Sequence, residues 1–191
     1  MKLLSKLENK YAGRPAAVLG GGPSLPGDLA RLPRRCLLIS VNYHAFHHCE
    51  PRWMVYLDDP LGNEHMMRII RDKSVTKVCP DSEYGGDVKM DVPYWRGTVS
   101  STTATWLALW MGCDPVILCG MDLYRGDVKY CHELHPGLDA PALHYPLADH
   151  MRPWQEECRG SVPHPARIRV MSGPLIGLFP AYESVSVATL V

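Results

Sequence analysis

The fold can be worked out from residues 98–130, which read TVSSTTATWLALWMGCDPVILCGMDLYRGDVKY. Four hydroxyl residues at 100–103 precede the apolar run Ala104–Met111, and this order predicts a buried helix whose first turn is capped by hydroxyl groups. Gly112 predicts the end of that helix, because glycine readily adopts the left-handed conformation of a C-cap. Pro115–Cys119 is a continuous apolar run, which is typical of a strand covered on both faces.

A polar loop follows this strand and contains Asp122, Tyr124, Asp127 and Tyr130. Open α/β sheets bind their ligands outside the carboxyl ends of the strands. The start of one helix and the end of one strand therefore both carry polar groups. This arrangement predicts a site for an anionic ligand.

Apolar runs alternate with helical segments along the rest of the chain. Such alternation indicates an α/β fold, and we predict one Rossmann-like domain over 1–191, doubly wound, with a mostly parallel sheet and helices on both faces. The predicted strands are Ala16–Gly20, Cys36–Val41, Trp53–Leu57, Val75–Cys79, Pro115–Cys119 and Arg167–Met171. Further helices are predicted at 1–12, where the helix would pack on the outside of the domain or reach a partner, and at Leu25–Leu32, Leu61–Arg71 and 147–159. The loop 125–146 is long enough to predict a lid.

Composition excludes several classes of protein. The chain has 20 basic and 20 acidic residues and no long basic run, which argues against a nucleic-acid partner. No apolar segment reaches about 18 residues, and the start MKLLSKLENKYAGRP lacks the apolar core of a signal peptide, so we expect a cytoplasmic protein without an integral membrane segment. The seven cysteines lie mostly in apolar runs and predict reduced thiols. Cys131, His132 and His135 fit no zinc spacing, so we predict no metal site there.

A glycine-rich turn, GGGPSLP at 20–26, follows the first predicted strand. Glycine allows a ligand to approach the backbone, and Ser24 is a candidate cap for the next helix, which would leave N–H groups to face a phosphate. The turn matches neither common phosphate-binding pattern, and a tight turn can need glycine for structural reasons alone. Asn42 after the second strand is equally open to two readings, a turn residue or a ligand contact. Asp58 and Asp59 can bind a ribose or a metal, or can cap the following helix.

Four blocks in this order resemble a known family. They are GGGPSL at 20–25, ISVNYHAF at 39–46, SSTTATWLALWMGCDPVILCGMDLY at 100–124 and YRGDVKY at 124–130. Together they are similar to the bacterial sialyltransferases of glycosyltransferase family 42. They also resemble a wider group of GPSL-containing phage and archaeal proteins that includes a 6-hydroxymethylpterin diphosphokinase.

The resemblance implies a transferase that uses a CMP-activated sugar, with a saccharide as acceptor and without metal or other cofactor. Its implied nucleotide and donor contacts are Gly20, Gly21, Gly22, Pro23, Ser24, Asn42, Ser100, Ser101 and Thr102. We add Asp122 to the predicted nucleotide-binding residues, and expect it to anchor the loop rather than to act chemically. Tyr124 and Tyr130 would hydrogen-bond the departing phosphate, and donors fixed at that place stabilise the growing charge. A histidine would deprotonate the acceptor. His144 is the first choice for this base, followed by His150 and then by His132 and His135.

The sequence also departs from the family. Thr102 or Thr103 stands where the family has a glycine, and the loop between Tyr130 and His144 is short. Two alternatives therefore stay open. One is an ATP- and Mg²⁺-dependent diphosphokinase with Asp58, Asp59 and Asp122 as metal ligands. The other is a phage protein that keeps the nucleotide-binding fold without catalysis. A homo-oligomer is compatible with each reading.

Overall fold

The computed structural model describes residues 2–79, 84–89, 99–125, 128–133, 146–160 and 162–183. These residues form an eight-stranded sheet in which each neighbouring pair is parallel. The strands are β1 (Lys2–Leu3), β2 (Ala16–Leu19), β3 (Leu37–Val41), β4 (Trp53–Val55), β5 (Thr76–Val78), β6 (Val88–Lys89), β7 (Val116–Cys119) and β8 (Ile168–Val170). Their spatial order is β1-β6-β5-β4-β3-β2-β7-β8. From β2 towards one edge of the sheet the strands β3, β4 and β5 follow in chain order, whereas β7 and β8 lie on the other side of β2. The switch point therefore lies between β2 and β7.

Helices cover both faces of the sheet. They are α1 (Leu25–Leu29), α2 (Glu64–Arg71), α3 (Ser100–Trp110) and α4 (Leu147–Gly160). Leu107 of α3 and Trp154 of α4 belong to the core on one face, which also takes Val18 and Leu118 from the sheet. Leu25 of α1 packs with Ala17, Leu19 and Ile117 on the opposite face, where Met66 of α2 joins a neighbouring cluster. The predicted doubly wound α/β fold is confirmed.

The central helix begins earlier than the sequence predicts. α3 starts at Ser100, and no side chain caps it. Instead, the hydroxyl of Thr103 donates to the carbonyl oxygen of Val99 at 3.0 Å, and that of Thr102, which donates to Glu157, lies 3.1 Å from the same carbonyl. The predicted hydroxyl cap is therefore wrong, because within a helix these hydroxyls bond back to carbonyls of the preceding turn. The predicted end is confirmed, since Met111 is the C-cap of the helix and Gly112, the next residue, has φ +81°.

The predicted outer helix at 1–12 is also wrong. The chain starts with β1, which pairs with β6, and continues with a 3₁₀ turn at Leu4–Leu7. Leu4 and Leu7 are almost fully buried in the core beside α3. The indole N–H of Trp110 donates to the carbonyl of Leu4 at 3.1 Å, which ties this segment to α3. Burial of Leu4 and Leu7 outweighs the weak helical tendency of this segment.

The start of α2 also differs from the prediction. α2 begins at Glu64, and Asn63 caps it by accepting a hydrogen bond from the N–H of Met66 at 3.0 Å. Asp58 and Asp59 therefore do not cap this helix. Of the predicted lid at 125–146, residues 126–127 and 134–145 lie outside the described residues.

Candidate functional site

Two adjoining cavities open at the carboxyl edge of the sheet, at the switch point between β2 and β7. We call the first the glycine-side cavity; it has a volume of about 110 Å³ and follows the ends of β2, β3 and β7. The second, the helix-side cavity, has a volume of about 280 Å³ and reaches the starts of α3 and α4. Their shared wall consists of Val41, Asn42, Ser101, Leu123 and Tyr124. Open α/β sheets bind ligands at this place.

Close packing explains why the turn after β2 consists of glycines. None of Gly20, Gly21 and Gly22 has a positive φ. A Cβ on Gly20 would overlap the carbonyl oxygen of Gly120, and one on Gly22 would overlap Oδ2 of Asp122. The N–H of Gly22 donates to the Gly120 carbonyl at 2.9 Å. The turn thus packs directly against the segment that follows β7.

A carboxylate of the protein already occupies the start of α1. Oδ2 of Asp122 accepts hydrogen bonds from the N–H and the hydroxyl of Ser24, at 3.0 and 2.8 Å. Ser24 itself has helical dihedral angles and makes no capping hydrogen bond, so its predicted role as a cap is wrong. Asp122 therefore anchors the loop after β7 to the glycine turn.

A second carboxylate, that of Asp28, lies beneath the same turn and is only 1% exposed. It accepts hydrogen bonds from the N–H of Gly120 at 2.9 Å and from the hydroxyl of Ser172 at 2.8 Å. Arg31 adds an ion pair at 2.7 Å. Sequence reasoning missed Asp28, because an acidic residue in the first turn of a short helix is ordinarily a surface residue.

Asn42 lies at the end of β3 and lines both cavities. It has φ +53°, a conformation that asparagine tolerates better than most residues. The hydroxyl of Ser40 donates to its carbonyl at 2.7 Å and supports this conformation. Its side-chain Oδ1 is buried and has no hydrogen-bond partner among the described residues. A buried acceptor without a partner costs about 1–3 kcal/mol, so this atom is suited to accept a donor from a ligand.

The two predicted tyrosines come together. Leu123 and Tyr124 have φ +51° and +60°, and this reversal brings the Tyr124 ring within 5.7 Å of the Tyr130 ring, edge to face. Both line the glycine-side cavity, which Lys129 also lines. The ammonium group of Lys129 donates to the carbonyl of Tyr124 at 3.0 Å. Sequence reasoning named the tyrosines and missed the lysine between them.

Histidines lie in both cavities. The ring of His150 lies 5.2 Å from that of Tyr124 in the helix-side cavity, which Asp149 also lines. In the glycine-side cavity His44 stacks on Tyr130 at 4.9 Å, and sequence reasoning did not single it out. His144 and His135 lie outside the described residues.

His132 fixes the protonation pattern of a histidine pair. Its Nδ1 lies 2.7 Å from the carbonyl oxygen of Glu133, and a carbonyl can only accept, so Nδ1 carries a proton. When His132 is neutral, its Nε2 must accept the proton of His44 Nδ1, at 2.8 Å. In this arrangement His44 donates a hydrogen bond to His132, and His132 donates one to the backbone carbonyl of Glu133.

The hydroxyl residues at the start of α3 separate into different places. Ser101 lines both cavities, and Ser100 lines the helix-side cavity while its Oγ accepts from the N–H of Leu57 at 3.2 Å. Thr102 is fully buried and donates to Oε2 of Glu157 in α4 at 2.6 Å, away from both cavities. Pro23 and Ser24 also lie outside the cavity linings. The predicted residues that line the glycine-side cavity are Gly20, Gly21, Gly22, Asn42, Ser101, Asp122, Tyr124 and Tyr130.

The carboxylates near this site do not form a metal-binding group, and its thiol is a weak nucleophile. The three candidate metal ligands are apart, since Asp58 lines the helix-side cavity, Asp59 accepts from the N–H of Leu61, and Asp122 binds Ser24. Within the described part of the chain no three His, Cys, Asp or Glu residues are grouped so as to hold a metal ion. Burial raises the pKa of Cys131, next to Tyr130, to about 11, so this thiol is protonated and weakly nucleophilic at neutral pH.

Fold and site together define an α/β protein with two adjoining cavities at the switch point of a parallel sheet. No known family profile and no curated protein matches the sequence. Among solved structures, the MAf glycosyltransferase from Magnetospirillum magneticum AMB-1 is distantly similar, with 17% identity and a TM-score of 0.44 over 65% of this chain. The aligned part is 27% of that enzyme, so this chain spans about a quarter of its length. In the described residues no helix is long and apolar enough to cross a membrane.

Proposed function

We propose that this protein is a metal-independent transferase that binds a CMP-activated sugar, with CMP-sialic acid as the donor to test first. The observation that carries the proposal is the convergence of Asn42, Ser101 and Tyr124 in the shared wall of the two cavities, with Tyr130 beside Tyr124 in the glycine-side cavity. In this proposal the glycine-side cavity takes the nucleotide. The larger helix-side cavity takes the sugar and the acceptor.

The shared wall between the cavities is where the donor bond would break. As the bond between the sugar carbon and the phosphate oxygen breaks, its electron pair passes to that oxygen. Tyr124 lies in the shared wall, so its hydroxyl is the first candidate to donate to the leaving oxygen, with Tyr130 as the second. Such fixed donors stabilise the developing charge without a metal ion.

The acceptor hydroxyl must lose a proton as it attacks the sugar. We propose a histidine as the base, with His144 as the candidate from the sequence resemblance and His150 as the candidate from geometry. His150 is supported because it lines the helix-side cavity beside Tyr124. A neutral imidazole accepts a proton efficiently near pH 7.

The alternative of a magnesium-dependent diphosphokinase has less support. That chemistry needs carboxylates gathered around the phosphates. Here Asp58 lines the helix-side cavity, whereas Asp59 accepts a hydrogen bond from Leu61 and Asp122 accepts from Ser24, so the three carboxylates are not gathered at one place.

The test measures CMP release from CMP-sialic acid, with and without a saccharide acceptor, in the presence of EDTA. We expect activity in EDTA and a loss of about 10²-fold in kcat for Tyr124→Phe, which is the usual effect of removing one donor to a leaving oxygen. Tyr11→Phe is the matched control, because the Tyr11 ring packs on Trp53, away from both cavities. His144→Gln and His150→Gln separate the two candidate bases.

Two outcomes would refute the proposal. One is wild-type protein that neither releases CMP nor gains thermal stability from CMP. The other is equal activity of Tyr124→Phe and Tyr11→Phe. Turnover of ATP only in the presence of Mg²⁺ would establish the diphosphokinase instead.

A further inference from the structure

The glycine turn is poorly suited to bind a phosphate group. The N–H of Ser24 already donates to Asp122, and the Ser24 hydroxyl lies between Asp122 and Asp28, at 2.8 and 3.3 Å from their Oδ2 atoms. A phosphate placed there would face two carboxylates, and like charges at such distances repel strongly. A phosphorylated ligand in this cavity therefore needs a cation elsewhere.

Lys129 also lines the glycine-side cavity and brings a positive charge to it. It directly precedes Tyr130, and its ammonium group is held at 3.0 Å from the carbonyl of Tyr124. The charge thus lies beside both tyrosines, on the loop that connects them. A charge-assisted hydrogen bond from an ammonium to a phosphate is stronger than one from a neutral donor.

We propose that Lys129, and not the glycine turn, binds the phosphate of the nucleotide. This inference rests on the proposed function and assigns one residue within it. Lys129 neutralises the phosphate on the tyrosine side of the cavity, while the base and ribose lie towards the glycine turn and Asn42. The protein's own cation thereby takes the role that a divalent ion has in metal-dependent transferases.

The experiment compares the binding of CMP and cytidine by calorimetry to the full chain, at two salt concentrations. Wild-type protein should bind CMP more tightly than cytidine, and added salt should weaken CMP binding only. Lys129→Met should reduce CMP affinity about 10- to 100-fold, the range expected for a hydrogen bond to a charged group. It should leave cytidine affinity within about twofold, as the ligand keeps its other contacts. Lys129→Arg should retain most of the preference for CMP.

Lys73→Met is the matched control, because Lys73 is exposed and lies in the turn between α2 and β5. Unchanged preference for CMP in Lys129→Met would overturn the inference while leaving nucleotide binding intact. The wild-type protein alone also tests the inference, so the test does not depend on whether Lys129→Met folds. Equal affinity of the wild-type protein for CMP and cytidine would overturn the inference. Binding of neither ligand would instead refute the proposed function, and this inference with it.

Discussion

Gly22→Ala should destabilise the protein through one named contact. The new Cβ would overlap Oδ2 of Asp122 and would lie 2.8 Å from its Cβ, so the whole Asp122 side chain must move. That movement breaks the two hydrogen bonds of Asp122 to Ser24. Hydrogen bonds to charged groups contribute about 1.5–3 kcal/mol, and because Asp122 is partly exposed we expect about 2–3 kcal/mol for the pair. For a chain of this size, that is a fall of about 5–10 °C in Tm.

Gly27→Ala in α1, five residues further on, is the control. Its Cβ would meet nothing within 4 Å, and its φ is not positive. Alanine there should be neutral or should stabilise by about 0.4–1 kcal/mol, because it restricts the unfolded chain. Urea unfolding followed by circular dichroism measures both variants.

A double-mutant cycle tests the cause of the effect. In the background Asp122→Gly the obstructing side chain is absent, so Gly22→Ala should then lower the free energy of unfolding by less than about 0.5 kcal/mol, the limit for independent sites. The reasoning is wrong if Gly22→Ala is as stable as Gly27→Ala, or if its effect is the same with and without the Asp122 side chain.

Two further predictions concern the core and the thiols. Thr102→Val removes the hydrogen bond to Glu157 that joins α3 to α4, so it should lower the free energy of unfolding by about 1–3 kcal/mol. Thr105→Val should have a smaller effect, because the Thr105 hydroxyl donates to the carbonyl of Ser101 within α3. Equal losses of the two variants in urea unfolding would contradict this prediction. Burial raises the pKa of Cys36 to about 12 and that of Cys49 to about 11, whereas an unfolded thiol titrates near 8.5. The unfolded state therefore loses protons first, so this contribution to stability is complete below about pH 8.5 and is lost as pH rises towards 11–12. The urea midpoint should fall between pH 8 and 10, with a shallower fall in Cys36→Ala; a rise, or an equal slope in that variant, would refute the assignment.

The sheet could be predicted from the sequence because its signals are local. Val116–Cys119 is fully buried, and each of its four residues belongs to a continuous apolar run. The order of strands and helices alone indicates a parallel sheet and hence the edge that carries the site. Gly112 was also predictable, because the left-handed end of a helix needs only a glycine at one position.

Contacts between distant residues could not be predicted in this way. The pairing of Ser24 with Asp122 joins positions 98 residues apart. In sequence, Ser24 before a helix has the pattern of a cap, and Asp122 after a strand has the pattern of a ligand contact. Only the packing of the two turns against each other shows that they satisfy one another.

The same packing explains why this turn is rich in glycine. In a turn shaped only for a ligand, an added Cβ would point into the open cavity. Here a Cβ on Gly20, Gly21 or Gly22 would meet Gly120, His44 or Asp122. The glycines therefore allow the segment after β7 to pack close to β2, and Asp122 holds it there. This contact sets the position of Tyr124, two residues further on, so the glycine turn contributes to the site by placing the tyrosine loop.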